Sequence, residues 1–296
     1  MTHRTAYALL LGVALLWSGN FPLAKLGLHE LGPVTMAATR ALIAAPLLVL
    51  ASRVLEGPLP PLARRDLTAV MVLAVTGFVG NSTLWYIGLR STTPANAGIL
   101  GAASPVVVAL AASAWLRERL STINLLGIGL TLAAVLLTIA RGSPEILLTL
   151  SVNRGDVIIL ASQTLWVIYT LYSRANRSTF SPLQMLAGAH VIAAGLLLPL
   201  ALLERPWQAF AHASWVGYSV VLYSALLGTP GHIGFYQAVR TVGPGRAAVF
   251  MNLIPFLVLG LSWLMLGEPI RWYHLVGAGA VIGGVALTSR RERATG

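Results

Sequence analysis

Cysteine is absent from this 296-residue chain, which excludes disulfides, zinc–thiolate sites and thiol catalysis. Charge is nearly as scarce: 10% of the residues are Asp, Glu, Lys or Arg, against about 25% in soluble domains. With 56% hydrophobic residues, the chain has too little polar surface to cover a globule in water, so lipid must cover much of it. Acids are the rarest charged residues, nine against twenty basic ones. Glu30, Glu56, Asp66, Glu118, Glu145, Asp156, Glu204, Glu268 and Glu292 all fall at the ends of apolar runs or between them. No carboxylate therefore sits in mid-membrane to carry a proton or sodium ion, or to neutralise a cationic drug. Nor do the basic residues form one patch; they stand singly or in pairs between apolar runs, so the net charge of +11 does not mark a nucleic-acid binder. The HExxH and Gly-x-Ser-x-Gly motifs, paired mid-span Asp and metal-ligand clusters are all missing. No catalytic residue, metal or cofactor is expected.

What the chain does contain is a series of apolar runs. A bilayer core of about 30 Å takes roughly 20 residues of helix. Runs of that length recur at 6–28, 33–55, 67–90, 94–116, 121–140, 155–175, 182–203, 213–240, 243–266 and 271–289. Gly-Pro and Ser-Pro steps punctuate them, as at Gly32-Pro33, Ser181-Pro182 and Gly243-Pro244. The first run is longer than a signal-peptide core and lacks a small-residue cleavage site, so it reads as a retained span. The runs are too long, and alternate too little, for a β-barrel. The expected fold is an all-α polytopic membrane protein with ten transmembrane helices. Placing the N-terminus inside puts thirteen basic residues on the cytoplasmic side and six opposite, with Arg40 alone inside a span. Both termini are then cytoplasmic.

The chain also matches itself. At an offset of 149, Trp17 meets Trp166, Pro33 meets Pro182 and Met36 meets Met185. At 150, Tyr86 meets Tyr236, Arg90 meets Arg240, Pro94 meets Pro244, Pro105 meets Pro255 and Glu118 meets Glu268. Leu and Val matches could arise by chance in apolar segments; matched Trp, Tyr, Arg, Pro and Glu at a near-constant offset indicate duplication. The expected units are 1–142 (helices 1–5) and 143–296 (helices 6–10). Five spans is an odd number, so the second unit must enter the membrane inverted. Inverted repeats with a site near the midplane are a recurrent transporter architecture.

Several segments carry a family resemblance. They are Leu16-Trp17-Ser18 in helix 1, Gly32-Pro33 before helix 2, and Pro94-Ala95-Asn96-Ala97-Gly98 opening helix 4 with Ser104-Pro105 after it. Glu118 and Glu268 precede helices 5 and 10. Together they make the whole chain resemble the EamA branch of the drug/metabolite transporter superfamily. The Trp and Tyr content of helices 1, 3, 6 and 8 is similar to that of the YddG-type aromatic-amino-acid exporters. The resemblance implies export of small metabolites, commonly amino acids, from the cytoplasm across the bacterial inner membrane.

Four helix faces read as the wall of a substrate cavity. Trp17 and Asn20 share a face of helix 1; Asn81 and Trp85 share one on helix 3, beside Ser82 and Tyr86. Helix 6 offers Gln163, Trp166 and Thr170 with Tyr169 adjacent, and helix 8 offers His232 and Tyr236 at the repeat positions of Ser82 and Tyr86. Aromatic faces and a few amides suit a small, partly apolar solute. The competing reading is that the aromatics form interfacial belts and the amides join helices. Trp115, Trp207, Trp215 and Trp272 fit a belt, whereas Trp17, Trp85 and Trp166 lie too deep.

Arg40 could hold a substrate carboxylate, snorkel outward or bind a helix C-terminus. His190 and His232 could couple transport to protons or serve as structural hydrogen-bonding residues. Lys25 reads as solvated at a span end. Pro105 and Pro255 are paired hinge candidates, with static kinks as the alternative. Gly127, Gly129, Gly277, Gly279, Gly283 and Gly284 should let helices 5 and 10 pack closely. The expected function is a carrier working by alternating access and facilitated diffusion. A proton-coupled antiporter using histidine is the alternative; an intramembrane enzyme and a channel are the other classes. Its partners would be a small solute and the bilayer, and the chain itself a monomer or weak dimer.

Overall fold

A computed structural model describes residues 2–58, 63–104, 106–107, 110, 121–149, 152–175, 178–229, 231–242, 247 and 250–288, and every regular element among them is helical. The first half contributes α1 (His3–Gly27), α2 (Pro33–Glu56), α3 (Arg64–Ser91), α4 (Pro94–Ala102) and α5 (Thr122–Ile139). The second half contributes α6 (Arg154–Ala175), α7 (Pro182–Leu202), α8 (Trp215–Tyr223 continuing through Ser224–Gly228 to Gly231–Val242), α9 (Ile254–Leu266) and α10 (Trp272–Thr288). Short helices Pro144–Leu148 and Pro206–His212 lie in the connections before α6 and α8. Among the described residues six helices, α1, α2, α3, α5, α6 and α7, are long and apolar enough to cross a bilayer. The other four are shorter or interrupted.

The Gly-Pro and Ser/Thr-Pro steps act as helix starts. Proline at a first helical turn forgoes only an N–H that has no partner there, and a preceding Ser or Thr supplies a cap. The Thr93 hydroxyl accepts from the Asn96 N–H ahead of α4. Ser181 accepts from the Gln184 N–H, and Gln184 reaches back to Ser181. Pro255 belongs to this class: a turn at Asn252–Leu253 breaks the chain, and Pro255 stands in the first turn of α9 rather than inside a helix. It marks an interruption and does not bend a continuous span. Its mate Pro105 lies outside the described residues. Pro22, Pro46 and Pro199 sit inside continuous helices.

α3 and α8 both change winding part-way. Ala74–Gly80 in α3 and Ser224–Gly228 in α8 are π-helical, and their first residues are 150 positions apart. Each wider turn carries one extra residue and shifts the helical phase of the residues beyond it.

The helices pair across the halves. α2 packs on α7 and α5 on α10; α1 packs on α8 and α9, while α6 packs on α3 and α4. Exchanging the two halves maps each of these pairings onto itself or another. The first helix of either half is thus seated against the third and fourth helices of the other.

The α5–α10 seam depends on glycine, though not at every expected position. A Cβ on Gly284 would collide with the Thr131 hydroxyl and lie 2.6 Å from the Gly127 carbonyl oxygen; one on Gly277 would lie 2.8 Å from the Thr138 hydroxyl. Gly129 and Gly279 would meet nothing within 4 Å. Away from the seam, Leu126, Leu132, Leu275 and Val276 are exposed, as a lipid-facing surface requires.

The scarce acids tie helix ends together. Glu204, after α7, accepts from the N–H of Val34 (3.2 Å) and Thr35 (2.7 Å) at the start of α2, and from the Thr35 hydroxyl (2.8 Å). Glu30, after α1, accepts from the Ser214 N–H and hydroxyl, both at 2.7 Å, ahead of α8. Asp66 takes the Ser178 hydroxyl (2.8 Å) and the Thr179 N–H (2.9 Å), and Glu56 accepts from the Ser181 hydroxyl. A negative group at the N-terminal end of a helix satisfies open N–H groups and complements the helix dipole.

Two outcomes follow for stability. Gly284→Ala should lower the thermal midpoint in detergent, since the added methyl meets backbone, at a cost of about 1–3 kcal/mol. Gly279→Ala should leave it unchanged or slightly raised. The Glu30 carboxyl is held below the usual carboxylate range, chiefly by the Ser214 hydroxyl, with backbone N–H bonds assisting and burial opposing. A depressed folded value gives stability that is present above the unfolded value, roughly 4.3, and lost as pH falls through it. Between about pH 5 and pH 3 the melting midpoint of Glu30→Gln should therefore fall less steeply than that of the wild type.

Candidate functional site

α2, α3 and α7 line a partly open cavity of about 10 Å³, room for roughly one water molecule, bounded by Ala37, Arg40, Ala41, Phe78, Ser82 and His190. Arg40 reaches it from α2, where Ala37 and Ala41 leave space for the guanidinium. Its Nε donates to the Thr229 hydroxyl at 3.3 Å, just beyond the π segment of α8. The described residues include no carboxylate within ion-pair distance of Arg40. His190 is buried; its Nδ1 lies 2.9 Å from the Leu186 carbonyl oxygen, and its ring centroid is 4.0 Å from that of Phe78.

On one side of this cavity α1 is tied to α8. The Trp17 indole donates to the Gly228 carbonyl at 3.0 Å, and the Ser224 hydroxyl donates to Asn20 Oδ1 at 2.6 Å. The Tyr223 hydroxyl donates to the Leu16 carbonyl at 2.8 Å. Trp17 also packs on His232 (centroids 4.8 Å) and Phe235 (5.6 Å), while His232 Nδ1 sits 2.9 Å from the Thr229 carbonyl oxygen. On the other side Trp166 stacks on Tyr169 at 4.9 Å, and Tyr169 meets the edge of Phe78 at 5.8 Å.

The expected residues thus divide into groups. Arg40 and His190 line the cavity, and Trp17, Asn20 and His232 reach it through Thr229 and α8. Trp166 and Tyr169 reach it through Phe78. Trp85 and Tyr86 stand apart against Phe21, with centroids of 5.1 Å for Phe21–Trp85 and 5.2 Å for Trp85–Tyr86. Tyr86 is fully buried, and its hydroxyl has no hydrogen-bond partner among the described residues. The amides join helices: Asn81 Nδ2 donates to the Ser162 carbonyl at 2.8 Å, and the Ser104 hydroxyl donates to Gln163 Oε1 at 2.5 Å. The side chain of Tyr236 lies outside the described residues. Phe78 and Thr229 are cavity neighbours absent from the expected set. Phe78 stands inside the π segment of α3 and Thr229 just past that of α8, where spacing on an ideal helix does not project.

A second polar centre ties the halves together at the α3–α4 turn. Lys25, expected in solvent, instead donates from Nζ to the carbonyls of Leu89 (2.8 Å), Arg90 (3.0 Å) and Thr92 (2.7 Å), closing the open carboxyl end of α3. Asp156 at the start of α6 is buried and accepts from the Thr92 hydroxyl and from Asn96 Nδ2 at 3.3 and 3.4 Å. Asn153 donates to the Ser91 carbonyl at 3.0 Å. Glu268 accepts the Ala95 N–H; burial pushes its carboxyl up, against the pull of the Lys25 ammonium and that hydrogen bond.

An all-helical membrane protein whose two halves share one pattern of helix pairing has the architecture of a membrane transporter. The chain is a member of the EamA-like transporter family, whose sequence profile matches residues 4–140 and again 153–290. It is 27% identical to the uncharacterized transporter YyaM of Bacillus subtilis, over 98% of this chain and 95% of that one. It is 26% identical to a probable terminal-alkyne amino-acid exporter of Streptantibioticus cattleyicolor, over 97% of this chain and 94% of that one. It is 26% identical to the uncharacterized inner membrane transporter YedA of Escherichia coli, over 96% and 90%. A solved crystal structure superposes over 97% of this chain and 98% of its own with a TM-score of 0.64; at 20% identity that likeness is one of fold.

Lys25→Met removes three charge-assisted bonds and reopens the end of α3. It should lower unfolding stability in detergent by about 1.5–3 kcal/mol. Thermal melts of the purified variant read this out.

Proposed function

We propose that this chain is a ten-span carrier of the bacterial inner membrane, with both termini cytoplasmic, that exports small metabolites of the amino-acid class. Units 1–142 and 143–296 are the inverted repeats, and rocking between two closures gives alternating access. The observation that carries this reading is Arg40. A cation held inside the bilayer normally has an anion beside it, because an unpaired one is costly. Among the described residues Arg40 engages only its Nε, with Thr229, which leaves the Nη pair to grip a carboxylate in bidentate fashion.

The aromatic surfaces beside the cavity, Phe78 with Tyr169 and Trp17 with His232, suit the apolar part of such a solute. Similarity along nearly the whole chain to the probable terminal-alkyne amino-acid exporter of S. cattleyicolor supports this solute class. Ligand sites usually enclose about 300–1,000 Å³, far more than the 10 Å³ found, so solute binding requires the helices around Arg40 to separate. With no carboxylate in mid-span, the mechanism is facilitated diffusion. In this reading the functional unit is the single chain, at most weakly dimeric, with solute and lipid as its partners.

A second reading, coupling to protons through histidine, starts from His190, whose ring lines the same cavity as Arg40. Counterflow of radiolabelled amino acids in proteoliposomes separates the two. Saturable flux that is unchanged by an imposed proton gradient is expected; flux that follows the gradient establishes coupling. Arg40→Gln should reduce flux about tenfold or more, the loss expected for one charge-assisted contact. Absence of flux for every amino acid, or wild-type flux in Arg40→Gln, overturns the assignment.

A further inference from the structure

We infer that His190 is a specificity-determining residue: it selects solutes bearing a free ammonium group next to the carboxylate, by offering that ammonium an uncharged acceptor. The inference rests on the carrier reading above, in which Arg40 holds the carboxylate.

The argument begins with a tautomer. His190 Nδ1 lies 2.9 Å from the carbonyl oxygen of Leu186, one helical turn earlier on α7. A carbonyl oxygen only accepts, so the proton between them belongs to Nδ1. In the neutral ring the other nitrogen, Nε2, is then a bare lone pair. It has no hydrogen-bond partner among the described residues. α7's own backbone makes this assignment, so it does not depend on a bound solute. Phe78 packs against the ring, with centroids 4.0 Å apart, and limits its rotation.

The ring lines the same cavity as Arg40, where the other lining side chains are Ala37, Ala41, Phe78 and Ser82. A fork of cationic donors and a neutral acceptor thus belong to residues lining one cavity. An α-amino acid carries its carboxylate and ammonium on a single carbon and needs such a pair close together.

The usual acceptor for an ammonium is a carboxylate, but here one would defeat the purpose. An Asp or Glu beside Arg40 would pair with it and occupy the fork meant for the solute. An imidazole lone pair accepts the N–H without cancelling the charge of Arg40. The described acids that make cross-helix contacts, Glu30, Glu56, Asp66, Asp156, Glu204 and Glu268, are all engaged at helix ends, away from this cavity.

The test compares four probes on the purified full-length chain in lipid nanodiscs: phenylalanine, 3-phenylpropionate (no ammonium), N-acetylphenylalanine (ammonium blocked) and phenylalaninamide (no carboxylate). Binding is read by calorimetry or ligand-induced thermal shift. The wild type should bind phenylalanine at least about tenfold more tightly than 3-phenylpropionate or the N-acetyl derivative, since a hydrogen bond to a charged group is of that order. His190→Phe preserves a ring against Phe78. It should weaken phenylalanine about tenfold while leaving 3-phenylpropionate unchanged, erasing the discrimination. His190→Gln, with an amide oxygen able to accept, should restore part of it.

Equal binding of phenylalanine and 3-phenylpropionate by the wild type overturns the inference, and needs no variant to fold. Retained discrimination in His190→Phe also overturns it. If phenylalaninamide binds as well as phenylalanine, the failure lies with the Arg40 carboxylate reading and takes this inference with it. If none of the four binds, both are overturned.

Discussion

Inside a bilayer a peptide N–H or C=O has no water to turn to, and the whole molecule is arranged around that constraint. Helices meet it along their lengths and fail to meet it at their ends. The few charged side chains of this chain are concentrated at those ends. Glu204 covers the opening of α2, Glu30 holds Ser214 ahead of α8, and Lys25 closes the carboxyl end of α3. The π turns create one further deficit, and the Trp17 indole meets it at the Gly228 carbonyl. In each case the donor or acceptor comes from a different helix, so satisfying the backbone and assembling the bundle are one event.

Against that background Arg40 is the exception. It lies well inside α2 and closes no helix end. The small residues around it, Ala37 and Ala41, are a turn-spaced pair that keeps the α2 face shallow enough for a guanidinium to turn inward. The π segment of α8 delivers Thr229 to its Nε, and that of α3 carries Phe78 to the opposite wall. The site is therefore built where both helices depart from regular winding, and it draws on helices of both halves.

Much of this was legible in the chain. Helix boundaries were marked by Gly-Pro and Ser-Pro steps because proline costs least in a first turn, and structure and sequence agree there to within a few residues at Pro33 and Pro182. The repeat was legible because Trp, Tyr, Pro and Glu are too rare to align by chance. Arg40 and His190 stood out as polar residues within apolar runs. Other features left no such mark. A π turn has no composition of its own, so the phase of α3 beyond Gly80 could not be projected from an ideal helix. Lys25 looks solvated from its position near a span end, because its partners are backbone carbonyls 64 to 67 residues away that no side-chain pattern announces. Asn20, Asn81 and Gln163 were read as ligand groups from their type; which helix each would face depended on packing that periodicity does not encode.

The bond between Trp17 and Gly228 joins residues 211 positions apart, and this has a consequence for how the protein is made. Ribosomes add about 5–20 residues per second, so α1 waits roughly 10–40 s in the bilayer before α8 exists. Through that interval its indole N–H and the Asn20 amide face lipid, neighbouring helices or the insertion machinery. The duplicated halves are symmetrical as sequences, but during biogenesis they are interdependent, and neither can be finished before the other.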